Sequence, residues 1–447
     1  MAKKINVDSH EEKTRKSLVY SILDGSFYSL MAGFGESFFS AFAIFLKASN
    51  MEIGLIGSLP QALGAIAQLF STKLIKLFHS RKKPILINAF LEGIMFVPML
   101  LTFFMGKFRV IYFLLFVCLY WIFGMLINPA WMSWMGDLVK PNERGKYFGR
   151  RNKFTGFFTL VALLISGYIL LTSMNNEYFG FVIIFGIAMV ARLFSSFFLS
   201  MMYDPGVVQV PGSSFSLIEF IKKARYNNYG LFVFFLTSMN FSVYLAAPFF
   251  AAYMLKDLHL DYFTYTLIIA VPIVVKFFTN NAWGSVSDRF GSRKILTMTA
   301  LLISINPILW LFSKNILYLI LIQAYSGFVW AGFELSTFNF ILDCTSTVKR
   351  ATAVSYFNLL NGFAMLAGAL AGGFMLMFNF LFWSQFYFVF LLSTIARFAV
   401  AVFFIPKIHE MRHVQKSTYK DILVSMFQRH AHATMGKAVP IHQDRKR

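Results

Sequence analysis

Twelve apolar stretches, separated by polar connectors, account for most of the chain: 22–46, 53–71, 84–105, 110–135, 154–173, 179–202, 229–255, 262–283, 295–313, 315–341, 356–378 and 381–405. A hydrocarbon layer about 30 Å thick is crossed by roughly 20 apolar residues in α-helix. The pattern therefore predicts an all-α membrane protein with twelve transmembrane helices. Most connectors are a few residues long. The exception, 203–228, reads DPGVVQVPGSS and then an amphipathic FSLIEFIKKARYNN, and it parts six segments from six. The expected organisation is a polar N-terminal tail 1–20, a six-helix bundle 21–202, a central loop 203–228, a second six-helix bundle 229–405 and a C-terminal tail 406–447.

Composition agrees: 57% of residues are hydrophobic, 14% are charged and Phe occurs 56 times. A water-exposed surface needs more charge than that. The polar start, MAKKINVDSHEEKTRKS, lacks the short apolar core of a cleaved leader, so none is expected. The net charge of +21 changes meaning once its placement is read. If the N-terminus is cytoplasmic, 33 of the 41 Lys and Arg fall in cytoplasmic stretches, five in outer loops (Lys47, Lys107, Arg109, Lys256 and Lys314) and three within segments (Arg192, Lys276 and Arg397). Basic residues collect on the cytoplasmic side of short loops, which predicts both termini inside, in a cytoplasmic membrane. The same placement makes the charge a topology signal and argues against nucleic acid as a partner. Cys118 and Cys344 form neither a disulfide framework nor a metal set.

The two halves echo each other at three places. SLPQ around Pro60 matches AVPI around Pro272, and DLVKPNERGKYFGRRN (137–152) lies on DCTSTVKRATAVSYFN (343–358), aligning Asp137 with Asp343, Arg144 with Arg350 and Asn152 with Asn358. VARLF around Arg192 lies on IARFA around Arg397. Because six segments separate the copies, the halves have the same orientation, as in transporters built from parallel repeats.

The connector between segments 8 and 9, GSVSDRFGSRK (284–294), resembles the signature loop of the major facilitator superfamily, G-x-x-x-D-R-x-G-x-R-[RK], through Gly284, Asp288, Arg289, Gly291, Arg293 and Lys294. The resemblance extends over the whole chain in helix count, long central loop and parallel repeat. It implies two pseudo-symmetric bundles and a loop that latches one against the other and releases during transport. It also implies that segments 1, 4, 7 and 10 line a central cavity, with 2, 5, 8 and 11 flanking it and 3, 6, 9 and 12 outside. The first half departs from the pattern: TKLIKLFHSRK (72–82) has Lys76 in place of the acid and Thr72 in place of the first glycine, so its latch is expected to be missing or built differently. The Gly-Pro-Gly-Gly pattern of the family's drug antiporters is absent from segment 5. Gly368 and Gly372 form an ordinary packing pair.

Residues present in both halves serve what the halves share. Asp137 with Arg144, and Asp343 with Arg350, are read as pins of cytoplasmic loops and, with the signature loop, as the conformational latch. Pro60 and Pro272 are expected to bend their helices, and Arg192 and Arg397 to snorkel or pair with loop carboxylates. Residues present in one half are the better candidates for binding. Glu36 aligns near Ala247, Lys276 with Gly64, Glu334 with Asn128, and Glu92 has no acidic counterpart near Ser304. An ionisable group at bilayer depth needs a cavity or a partner. Glu36 has small residues at helical spacing beside it, Ser29, Ala32, Gly33, Ser40 and Ala43, which suits either close packing or a water-filled path. At 1.5 Å per residue it lies roughly 20 Å from the inner end of its helix. The resemblance lets Glu36, Lys276 and Glu334 reach the cavity and keeps Glu92 out.

A carboxyl group in a low dielectric favours its protonated form and can bind and release a proton near neutral pH. Glu36 and Glu334 are therefore the candidate proton- or cation-coupling residues. Lys276, Asn128, Trp131, Tyr244, Trp330 and Asn361 are the candidate substrate-binding residues, Lys276 pairing with Glu334 or clamping substrate with it. Trp121, Trp134, Asn240, Asn280, Asn281, Gln323, Tyr325, Asn339 and Asn358 are further candidates for the walls. No Gly-rich phosphate loop is present, and no soluble stretch is long enough for an enzyme site. The expected function is a secondary active transporter, monomeric and without cofactor, moving a small solute by alternating access with proton coupling. Uptake of sugar-like or peptidoglycan-derived solutes and export of amphiphiles remain open, and a transporter-like sensor or lipid-handling protein is the rival class. In the tail, His430 and His432 make a weak metal signal, and 416–429 could lie on the inner leaflet as an amphipathic helix.

Overall fold

A computed structural model describes residues 2–140, 143–206, 217–224, 226–344, 347–378 and 384–411. The side chains of Arg144, Asp288 and Arg350, and the tail from 412 with His430, His432 and the stretch 416–429, lie outside the described residues.

Among the described residues twelve helical passages follow one another. The first half contains α1 (Ala2–Phe34, carried on through Glu36–Phe38 and Phe39–Phe45), α2 (Asn50–Gln68 with Ser71–Phe78) and α3 (Lys82–Ile94 with Phe96–Leu101). It is completed by α4 (Arg109–Leu138), α5 (Arg144–Thr172) and α6 (Glu177–Met201). The short helix Leu217–Ala224 follows in the central loop. The second half contains α7 (Asn228–Tyr244, then Phe249–Ala252 and Tyr253–Asp257), α8 (Tyr262–Phe290), α9 (Ser292–Leu309), α10 (Ile316–Cys344), α11 (Thr347–Met375) and α12 (Gln385–Phe404). Among the described residues, ten passages are long and apolar enough to cross a membrane, eleven with the bent α2. The twelfth, α9, opens on Ser292, Arg293 and Lys294 and so has less apolar length.

Local chemistry sets several boundaries. Ser49 and Glu52 form a reciprocal cap at the start of α2. Asp261 accepts from the Phe263 and Thr264 amides at the start of α8 (3.0 and 2.9 Å), and Asn227 accepts from the Gly230 amide at α7. Gly291, at φ +90°, makes the turn between α8 and α9 that a side chain would strain. Pro60 and Pro272 lie inside continuous helices; the 47° bend in α2 falls after Gln68, eight residues beyond Pro60.

The first six passages pack on one another, as do the last six, and α2 against α11 and α5 against α8 join the halves. The hydrogen bonds that cross between the halves include Tyr244 hydroxyl to Gln61 Oε1 (3.2 Å), Lys256 Nζ to Ala48 O (2.6 Å) and Tyr262 hydroxyl to Glu177 Oε2 (3.0 Å). Glycines bring the backbones together there: a Cβ on Gly57 would stand 3.0 Å from Pro248, and one on Gly167 would stand 2.6 Å from Thr266 Oγ1. Apart from the mid-depth Tyr244–Gln61 bond, these contacts lie toward the face opposite the one where α1 begins and α12 ends. That start-and-end face is called the terminal face below.

Candidate functional site

The first half holds a cavity of about 300 Å3 among α1, α3, α4, α5 and α6, whose wall includes Asp24, Glu36, Glu92, Tyr120, Arg151 and Arg192. Glu36 stands where α1 breaks. The helix ends at Phe34, Gly35 lies against the Phe96 ring with no room for a Cβ, and a single 3-10 turn begins at Glu36. Glu36 Oε2 accepts from the Tyr120 hydroxyl at 3.1 Å. No ion pair forms to Glu36 among the described residues.

Behind it runs a connected ionic chain. Arg192 donates to Glu92 Oε2 from Nη2 (2.6 Å) and Nε (3.0 Å), and from Nη1 to Ser195 Oγ (2.7 Å). Ser195 in turn donates to Asp24 Oδ1 at 2.7 Å. Arg151 lies 3.7 Å from Asp24 and stacks over Trp131 at 4.5 Å. Arg192 also lies 5.0 Å from the Tyr28 ring. Glu92 and Arg192 are fully buried, and their pairing compensates the cost of removing both charges from water. Gly124 makes room for the pair, since a Cβ there would stand 2.9 Å from Glu92 Oε1.

A second cavity, about 240 Å3, lies at the seam between halves and is lined by Glu36, Ser40, Gln61, Trp121, Tyr244 and Pro248 among others. Glu36 thus borders both spaces. A third, about 340 Å3, lies inside the second half between α7, α8, α9, α10 and α12, with Ser40 of α1 at its edge; its wall includes Arg397, Asn306, Gln323 and Trp330. A fourth, about 560 Å3, carries Asn280, Asn281, Gly284 and Glu334.

The residues expected to act together are thus distributed. Asn128 and Trp131 join Glu36 on the first cavity, Tyr244 joins it at the seam, and Trp330 lies on the third cavity. Lys276 pairs with Glu334 at 2.6 Å, as one of the two expected arrangements has it, with the Glu334 side chain 55% exposed. Asn361 accepts from Asn240 Nδ2 at 2.7 Å, a bond between α7 and α11. Trp134 is packed in the core and donates to Tyr203 O, so it is not a wall residue of these cavities.

Two expectations are overturned. Glu92 was placed outside the cavity; it lines it, because α3 and α6 contribute Glu92 and Arg192 through a gap that Gly124 leaves in α4. Arg192 was expected to reach a loop carboxylate, and it finds one within the bundle. At the terminal face, Asp137 pairs with Arg81 at 2.6 Å; Arg81 also lies 3.6 Å from Asp204 and donates to Gly206 O. In the first-half loop Arg81 is thus held by Asp137 of its own half and by the start of the central loop. In the second-half loop Gly284 borders the fourth cavity, Arg289 lies beside the Phe290 ring, and the Arg293 amide donates to Glu410 Oε2 at 2.8 Å.

Two parallel six-helix bundles enclosing polar cavities define a membrane-transporter fold. The sequence model of the Major Facilitator Superfamily matches residues 25–245 and 230–431, and the chain belongs to that superfamily. Solved structures with the same fold include a nucleoside transporter, NupG (16% identity, TM-score 0.67, covering 89% of this chain and 100% of that one). A D-xylose–proton symporter is similar at 14% identity and TM-score 0.67 (90% and 99% covered). A bacterial homologue of the human lysosomal transporter Spinster, in an inward-facing and occupied conformation, is similar at 14% and 0.61 (95% and 98%). No curated protein sequence matches the chain.

Proposed function

We propose that the protein is a secondary active transporter that moves a small polar solute through a cytoplasmic membrane by alternating access, coupled to protons through Glu36. The observation that carries this reading is the position of Glu36: a carboxylate at the break in α1, bordering both the first-half cavity and the seam between halves, with a neutral hydroxyl as its partner. The charged groups sharing its first-half cavity are Glu92, Arg192, Asp24 and Arg151, and these are engaged with one another. A carboxylate so placed exchanges its proton as water gains and loses access, and the two protonation states then favour different arrangements of the halves.

The terminal face is the cytoplasmic one, by the placement of Lys and Arg. Lys256 to Ala48 and Tyr262 to Glu177 join the seam toward the opposite, outer face. Asn128, Trp131, Tyr244 and Trp330 offer amide, hydroxyl and ring surfaces to the solute; Lys276 and Glu334 act as a polar clamp at the fourth cavity. Asn361, Asp343 and the signature loop serve the rearrangement of the halves.

The test is reconstitution of the full chain into vesicles with a trapped pH indicator, followed by addition of solutes across a panel of sugars, nucleosides and small acids. The expected outcome is solute-driven proton movement that Glu36→Gln reduces to background. Proton movement of undiminished size in that variant would remove Glu36 from the coupling role.

A further inference from the structure

Arg397 occupies in the second half the repeat position that Arg192 occupies in the first, but its surroundings differ. Its guanidinium is buried, with the residue 2% exposed. Nε donates to Ser393 Oγ (3.0 Å), Nη1 to Ile303 O (3.2 Å) and Nη2 to Val243 O (3.4 Å). All three acceptors are neutral, and no ion pair forms to Arg397 among the described residues. A guanidinium carries five N–H groups, so two remain after these bonds. A buried charge without a counter-charge is costly, and nothing described in the second half supplies that counter-charge.

Arg397 also borders a space. The third cavity, about 340 Å3, is walled by Arg397, Asn306, Trp310, Gln323, Ser326 and Trp330, among others. Two of these residues hold buried polar atoms without a partner, Asn306 Oδ1 and Trp310 Nε1; the residues are 7% and 1% exposed. A buried indole N–H normally finds an acceptor. One cavity wall therefore combines an uncompensated cation, an unused N–H donor, an amide whose Nδ2 donates to Ser326 Oγ and whose Oδ1 is unpaired, and large aromatic rings.

We propose that this cavity binds a small organic anion, a monocarboxylate with an apolar or aromatic body, with its carboxylate on Arg397 and Trp310 Nε1 and its body against Trp330 and Phe250. The planar guanidinium matches a carboxylate in geometry and charge. One cation balances one negative charge, which favours a monocarboxylate over a doubly charged phosphate. As cargo, such an anion rests on the transport reading above; as a ligand, it does not.

The experiment uses the purified full-length protein in detergent and follows its thermal unfolding at constant ionic strength with acetate, benzoate and phenylacetate, each against its primary amide. At least one carboxylate is expected to raise the midpoint where its amide does not. Arg397→Gln should weaken that ligand by about tenfold or more, as expected for loss of a hydrogen bond to a charged group. Trp310→Phe, which keeps a ring and removes the N–H, should weaken it by about fivefold. Amides that stabilise as well as their acids, or acids that do not stabilise at all, would overturn the proposal. If Arg397→Gln does not fold, Trp310→Phe decides, and an unchanged carboxylate affinity there counts against the site. Because binding is read without a gradient, the two readings separate. Carboxylate binding without solute flux in vesicles retains the site and removes transport. Flux of neutral solutes without carboxylate binding does the reverse.

Discussion

The two halves place an arginine at the same repeat position and treat it in opposite ways. In the first half Arg192 meets Glu92 at 2.6 Å, and Ser195 passes the network on to Asp24. In the second half Arg397 bonds instead to a serine one turn earlier in its helix, Ser393, and meets backbone carbonyls where the acid would be. Ser304, buried on α9, lies near the position that aligns with Glu92. A shared fold thus carries one charge that is already balanced and one that is not. Repetition preserves the scaffold, and the departure from repetition marks where the halves differ in chemistry.

The largest effect expected from this contrast lies in the first half. Glu92→Gln leaves Arg192 buried without its main counter-charge and should cost about 3–5 kcal/mol, read as a large fall in the unfolding midpoint. The double variant Glu92→Gln with Arg192→Met, which removes both charges, should recover much of the loss. If the single variant unfolds no earlier than the natural chain, the balanced half of the comparison is wrong. Next comes Ser304→Glu, which places an acid near where the first half has one. It should occupy Arg397 from within and lower the stabilisation by added carboxylates by about tenfold, equivalent to roughly 1.4 kcal/mol. Ser304→Gln is the uncharged control of the same size and should leave that stabilisation intact; equal loss in both would trace the effect to crowding. The smallest effect is expected at Lys276–Glu334. That pair is substantially exposed, with side chains 31% and 55% accessible, and Lys276→Met should shift stability by about 1 kcal/mol or less. A larger shift would show that the pair does more than balance charge at the fourth cavity.

The fold was largely legible in the order of residues because membrane helices must satisfy their backbone internally, which leaves long apolar runs as the visible trace. The polar stretch 203–228 and the repeat of VARLF in IARFA showed the two halves directly. Glu36 could be singled out as a carboxylate in an apolar run. The small residues beside it had a second use, however: a Cβ on Gly33 would meet Ala162 at 2.6 Å, so part of that stripe packs α1 against α5. The Glu92–Arg192 pair was illegible from position alone, since its members lie on helices assigned to the outside and are 100 residues apart. One signal for it did exist. A base present in both halves, with an acid present in only one, implies that one base has a partner and the other does not. The break in α2 after Gln68 was not legible from the sequence, since the visible helix-breaker, Pro60, lies eight residues earlier, inside Asn50–Gln68.

The seam between the halves has a consequence for how it can be opened. The ion pairs Arg81–Asp137, Arg81–Asp204, Arg151–Asp24, Arg192–Glu92 and Lys276–Glu334 each stay within a single half or its adjoining linker, while the crossing contacts include close-fitting backbone and the Tyr244–Gln61, Lys256–Ala48 and Tyr262–Glu177 hydrogen bonds. Dissolved salt weakens exposed charge pairs and hardly touches fitted surfaces. Raising ionic strength should therefore leave this closure in place, whereas added bulk should wedge it apart. The glycine at 167, where a methyl group would stand 2.6 Å from Thr266 Oγ1 across the seam, is the point where such a group would act most like a doorstop.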